Sequence, residues 1–211
     1  MPGYGDSPAL TSMSWPNLAS AVGRVLDAAN VASASVVGLS MGGYVAQQFA
    51  ADYGDRVDSL VLAATTAQFG RGSATFAERF LASRLQPLDE GAVPADFAPT
   101  VAPALFSDDA SEATVASAVA SMSAISSKAY RAALECLVTW NFLDRLDDIT
   151  MPTLCLAGAN DKTAPVEAVQ ALTDGLPQAT FTEIADCRHL LNLDRPTVFN
   201  QVVRDFLTQQ H

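Results

Sequence analysis

Hydrophobic residues fall along this chain in two alternating patterns. Short runs that are apolar on consecutive positions occur at Ser35–Leu39, Ser59–Ala64, Thr153–Gly158 and Thr180–Ile184. Such runs are too brief for helices and fit strands buried on both faces, as in a parallel sheet covered by helices. Between them the apolar residues recur at helical spacing. Leu18, Val22, Val25, Leu26 and Ala29 form one stripe, with Ser14 as cap, Pro16 in the first turn and Asn30 as the stop. A second helix follows the first strand directly, from Gly42 to about Tyr53, and Gly54 closes it. Pro165 and Pro196 open two more, and in the last of these Val198, Phe199, Val202, Val203 and Phe206 share a face. Strands alternating with helices predict a doubly wound α/β architecture.

The stretch from Thr66 to about Asp144 breaks this alternation. It is rich in Ala, Ser and Phe, reads as helical, contains no good strand, and is punctuated by Pro87, Pro94, Pro99 and Pro103. A helical insertion between two strands of a parallel sheet is either a lid or a plain helical subdomain, and its placement favours the lid. The expected division is therefore 1–65 for the first part of the sheet domain, 66–145 for the helical cap and 146–211 for the second part of the sheet domain.

Composition narrows the function classes. The 211 residues are 49% hydrophobic and 17% charged, which is enough for one globular domain with a core. A formal charge of −11 without a Lys/Arg cluster argues against nucleic acid as a partner. No apolar run approaches the roughly 20 residues that span a bilayer. The segment Met1–Asp6 is neither basic nor apolar, unlike a signal peptide. Cys136, Cys155 and Cys187 are an odd number at wide spacing, so no disulfide framework is expected, and a cytoplasmic location is. Cys187 and His189 could share a metal ion, but two ligands make a weak site and none is expected.

The chemistry-bearing signal is Gly38-Leu39-Ser40-Met41-Gly42, a Gly-x-Ser-x-Gly pattern between a strand and a helix. In so tight a turn the serine sits in a strained backbone conformation with its Oγ exposed, and neighbouring side chains would collide, hence Gly38 and Gly42. The following helix aims its unpaired N–H groups at the same spot, so the Met41 amide is the expected oxyanion donor. A serine hydroxyl needs a base. The chain has two histidines; His211 is terminal, which leaves His189, just past the fourth strand run. A base needs a carboxylate to fix its tautomer. Asp161 follows the third strand run, and active-site groups gather at the carboxyl ends of parallel strands. Asp186 is the rival acid. Ser40, Asp161 and His189 also occur in the chain order expected of a strand-end triad.

At these residues the chain resembles the α/β-hydrolase superfamily, and within it is similar to the 3-oxoadipate enol-lactonase-like and esterase-like members. The resemblance rests on Met1–Ser7, Gly38–Gly43, Pro152–Pro165 and Ala185–Pro196. It implies an α/β-hydrolase fold with a helical cap, and acyl transfer from a small carboxylic ester or lactone to water, without a metal or organic cofactor. Serine rather than aspartate at position 40 argues against the haloalkane dehalogenase branch. Phe69, Phe76, Phe80, Phe97 and Phe106 are candidates for an acyl pocket or for core, as are Trp140 and Phe142. A carbon–carbon bond hydrolase, a cofactor-free perhydrolase, and an inactive hydrolase-like binding or assembly domain are the rival readings.

The chain departs from the family pattern at two points. Arg188 stands where the family usually has a glycine before its histidine. The Pro-Gly-Tyr-Gly segment, which in the family follows several strands and a helix, here begins the chain. The expectation is a fold lacking its N-terminal strands and the second oxyanion donor, with Met1 an internal methionine of a longer product. A rival expectation is a short form that forms a homodimer through the exposed edge at Ser35–Leu39.

Overall fold

The structure is a computed structural model that describes residues 1–210. Two compact units emerge, one of sheet and helices, Trp15–Ala67 with Phe142 onward, and one helical, Met1–Ser14 with Gln68–Asn141.

In the sheet unit, helix α1 (Trp15–Ala28) leads into β1 (Ala34–Leu39), α2 (Met41–Asp52) and β2 (Val57–Ala63). The four strands of the sheet are parallel and in the order β1-β2-β3-β4, with β3 at Thr153–Gly158 and β4 at Ala179–Ile184. The central pair explains its own sequence. Leu60, Val61 and Leu62 of β2 and Leu154, Cys155 and Leu156 of β3 are all buried, and each such leucine or valine contributes about 1.5–3 kcal/mol by leaving water. The outer strands are less covered than their apolar runs predict. In β1 only Gly38 is fully buried and Val37 is half exposed, and in β4 only Ile184 is buried, because each is a sheet edge.

Two helical stripes also differ from their sequence reading. The buried row of α1 is Trp15, Leu18, Ala19 and Gly23, with Gly23 facing the Phe49 ring of α2; Val25 faces away and is 66% exposed. In the last helix, α9 (Pro196–Thr208), Phe199 is buried and Val198 is exposed. Helices α7 (Val166–Asp174) and α8 (Leu191–Asp194) complete this unit, α7 burying Val169, Leu172 and Thr173.

The helical unit holds α3 (Ala74–Asp89), α4 (Pro94–Val101), α5 (Glu112–Ser123) and α6 (Ser127–Leu137). Serine caps start three of them, with Ser73, Ser111 and Ser126 accepting from Phe76, Thr114 and Ala129 N–H. Pro94 occupies the first turn of α4. An antiparallel bridge between Gln68 and Asn141 ties the two ends of the segment. Phe69 packs on Phe76 and Phe80 with ring centroids 5.7 and 5.1 Å away, and Phe97 packs on Tyr130 at 5.2 Å. Phe106 and Trp140 are buried, as is Phe142 in the sheet unit. The first residues, read as part of the sheet domain at 1–65, group instead with the helices, since Gly3 lies beside Ala129 and Tyr4 beside Tyr130. Among the described residues no helix is long and apolar enough to cross a membrane.

Candidate active site

The sheet register sets the site. Leu39 pairs with Ala63, Ala63 with Leu156 and Gly158 with Ile184, so the carboxyl ends of the strands share one rim. Ser40 follows β1 immediately, Asp161 lies three residues past β3, and His189 lies between β4 and α8.

Ser40 has φ 53° and ψ −121°, a left-handed φ that non-glycine residues rarely adopt. Its N–H donates to Ala63 O at 2.8 Å, and its carbonyl accepts from Gly43 N at 2.8 Å and Tyr44 N at 3.3 Å. The strain is thus held by the neighbouring strand on one side and the first turn of α2 on the other. A Cβ at Gly38 would run into the Gly42 carbonyl, 2.7 Å from its carbon. A Cβ at Gly42 would meet open space, whereas one at Gly43 would lie 2.5 Å from the Thr65 Cβ. The steric demand expected at Gly38 and Gly42 therefore falls on Gly38 and Gly43, because α2 presses its third residue, not its second, against the chain leaving β2. Gln47 fastens the same region, its Nε2 donating to Gly43 O and Thr66 O at 3.2 Å each. Met41 opens α2, so its N–H has no acceptor within the helix.

Asp161 is buried in a turn that it closes itself. Its Oδ1 accepts from Thr163 N at 2.7 Å and Ala164 N at 3.1 Å, and its Oδ2 lies 2.8 Å from His189 Nδ1. His189, also buried, places Nε2 2.8 Å from Ser40 Oγ. A carboxylate only accepts, so Nδ1 carries the hydrogen and the Nε2 lone pair faces the serine hydroxyl. The structure thus brings Ser40, His189 and Asp161 into one hydrogen-bonded line; the carboxylate on Nδ1 is that of Asp161, not Asp186. Both ring nitrogens of His189 are engaged this way, and among the described residues no three His, Cys, Asp or Glu gather as a metal site. His211 lies outside the described residues.

This serine, on a strained strand-to-helix turn and joined through histidine to a strand-end aspartate, is the arrangement of one fold family. The family model of the alpha/beta hydrolase fold matches residues 1–196. The chain belongs to the α/β-hydrolase family. Among its relatives, 3-oxoadipate enol-lactonase 2 of Acinetobacter baylyi is 28% identical over 181 residues, 85% of this chain and 65% of that protein. A poly(3-hydroxyalkanoate) depolymerase of Ectopseudomonas oleovorans is 31% identical over 201 residues, 93% of this chain and 68% of that protein. A solved thermophilic esterase from Thermogutta terrifontis superposes with a TM-score of 0.84 at 27% identity, covering 99% of this chain and 78% of its own. The chain thus spans about two thirds of the length of the first two relatives. This chain shares its fold, a parallel sheet flanked by helices, with that esterase.

Two parts of the site take their role from contacts that the sequence does not show. Gly158 ends β3 where the loop carrying His189 passes, and a Cβ there would lie 2.6 Å from Cys187 O and closer still to Arg188 O. Asp194, on α8, accepts from the Arg188 N–H at 2.8 Å. The signal for Asp194 was an acid set among the leucines of Leu190–Leu193.

Proposed function

We propose that this chain is a serine hydrolase of small carboxylic esters or lactones, working through an acyl-enzyme. The observation that carries the reading is the pair of 2.8 Å contacts from Ser40 Oγ to His189 Nε2 and from His189 Nδ1 to Asp161 Oδ2. Enol-lactonase, depolymerase and esterase relatives support the same substrate class. Ser40 Oγ attacks the carbonyl carbon while His189 Nε2 takes its proton, and Asp161 stabilises the resulting imidazolium. The Met41 N–H donates to the oxyanion of the tetrahedral intermediate. Its collapse expels the alkoxide, which receives the proton from His189. With a lactone this oxygen stays tethered to the acyl group. Water, deprotonated by the same imidazole, then releases the acid and restores Ser40.

The test is hydrolysis of short p-nitrophenyl esters and of enol-lactones by the wild type and by Ser40→Ala. Turnover by the wild type, lowered by on the order of 10⁴-fold or more in the variant, is the expected result. Equal turnover by both would remove Ser40 from the reaction.

A further inference from the structure

The loop from Ala185 to Leu190 has no regular structure, yet it must hold an imidazole at hydrogen-bond distance from two partners on other loops. From the side of β3, Asn160 N–H donates to Cys187 O at 2.8 Å, and the bare Cα of Gly158 lets the loop backbone come close. From the other side comes the carboxylate of Asp194. It is completely buried, belongs to no part of the Ser40–His189–Asp161 line, and accepts from the Arg188 N–H at 2.8 Å. Its ionic partner Arg195 stands at 3.6 Å, an ion-pair distance rather than a close hydrogen bond. Burying a carboxylate costs several kcal/mol unless its oxygens are satisfied. Here a well-formed hydrogen bond comes from the backbone N–H of the residue immediately before the imidazole-bearing one.

We propose that Asp194 is a positioning residue for His189, its buried carboxylate fixing the Cys187–Arg188 peptide so that the ring reaches Ser40 and Asp161 together. This rests on the serine hydrolase reading above. The geometry makes the effect large. The Arg188 N–H is one residue from the His189 Cα, so a tilt of that peptide swings the whole ring, and a displacement of about 1 Å at a reacting group can lower rates about 100-fold. The neighbouring thiol fits the same account. Burial, followed by the Asp194 carboxylate, pushes the Cys187 pKa up to about 12, so this thiol stays protonated against the carboxylate.

The experiment compares Asp194→Asn, which keeps an acceptor oxygen, with Asp194→Ala and Asp194→Leu, which do not; the leucine fills the volume should the alanine variant fail to fold. Two readouts are taken on folded protein. One is the rate of fluorophosphonate labelling. The other is the downfield Nδ1–H resonance of the histidine bound to Asp161, in histidine-¹⁵N protein. Asp194→Ala or Asp194→Leu is expected to label about 100-fold more slowly and to lose or broaden the resonance, and Asp194→Asn to restore both. A wild-type rate and resonance without the acceptor, or an asparagine variant as impaired as the alanine, would overturn the proposal. Should the wild type not label at all, the hydrolase reading fails, while the resonance still decides the role of Asp194.

Discussion

The turn after β1 and the loop after β4 deliver the two halves of the proposed proton-transfer pair, and they are built on different principles. The first is steric. Ser40 is held at a strained φ because Gly38 and Gly43 let backbone and Thr65 close in around it. The second is a matter of hydrogen bonds. His189 sits in an irregular loop tied by Cys187 O to Asn160 N–H and by Arg188 N–H to Asp194. A nucleophile must project from a fixed point, and packed backbone provides this. A base must meet both a hydroxyl and a carboxylate, and a loop adjusted by several hydrogen bonds can satisfy both.

Substitutions separate these principles. The largest effect is expected for Gly38→Ala, where the added methyl meets main-chain atoms that cannot yield. It should lower stability by roughly 1–3 kcal/mol or more and remove most activity, measured by chemical denaturation and ester turnover. Gly158→Ala presses on the histidine loop instead. It should cut turnover by about 100-fold through displacement of His189, with a smaller loss of stability. If it left turnover intact, the loop would not depend on that close approach. Gly42→Ala, by contrast, meets open space and should stay within about 1 kcal/mol of the wild type, since alanine is the better helix residue.

A separate effect, without consequence at neutral pH, comes from the buried thiols. Burial raises the Cys187 thiol from 9.0 to about 12, and Cys155 to about 11. Below pH 9 these thiols are protonated whether the chain is folded or not, and their contribution is fully present. As pH rises further, the unfolded chain loses these protons first, so stability falls until the folded pKa values are reached, by at most ~1.4 kcal/mol per pH unit for each thiol. Melting temperature followed from pH 8 to 11 should show this decline, and Cys187→Ala should make it shallower.

How much of this was legible beforehand follows from what each feature depends on. The strands β2 and β3 were readable because burial on both faces demands apolar residues at every position. The edges of the sheet were not, since the runs in β1 and β4 look alike whether or not a neighbour covers them. The stripe of α1 was only partly readable, since Trp15 and the small residues Ala19 and Gly23 join Leu18 in the buried row and Val25 is left exposed. That Ser40, Asp161 and His189 would lie together was readable because strand-end position and residue type both pointed to one rim. The contacts of Gly43, Gly158 and Asp194 were not readable, because they are made with residues outside each one's own sequence motif or known only from the fold. The grouping of Met1–Ser14 with the helical unit is a tertiary fact of the same kind, carried by Gly3 and Tyr4 against α6.

The central claim is that the line from Asp161 through His189 makes the Ser40 hydroxyl a nucleophile. Peptide mass mapping of the chain after treatment with a fluorophosphonate tests this most directly. The account expects a single adduct on Ser40, absent in His189→Ala. An adduct on another residue, or one on Ser40 that forms as fast without the imidazole, would contradict it.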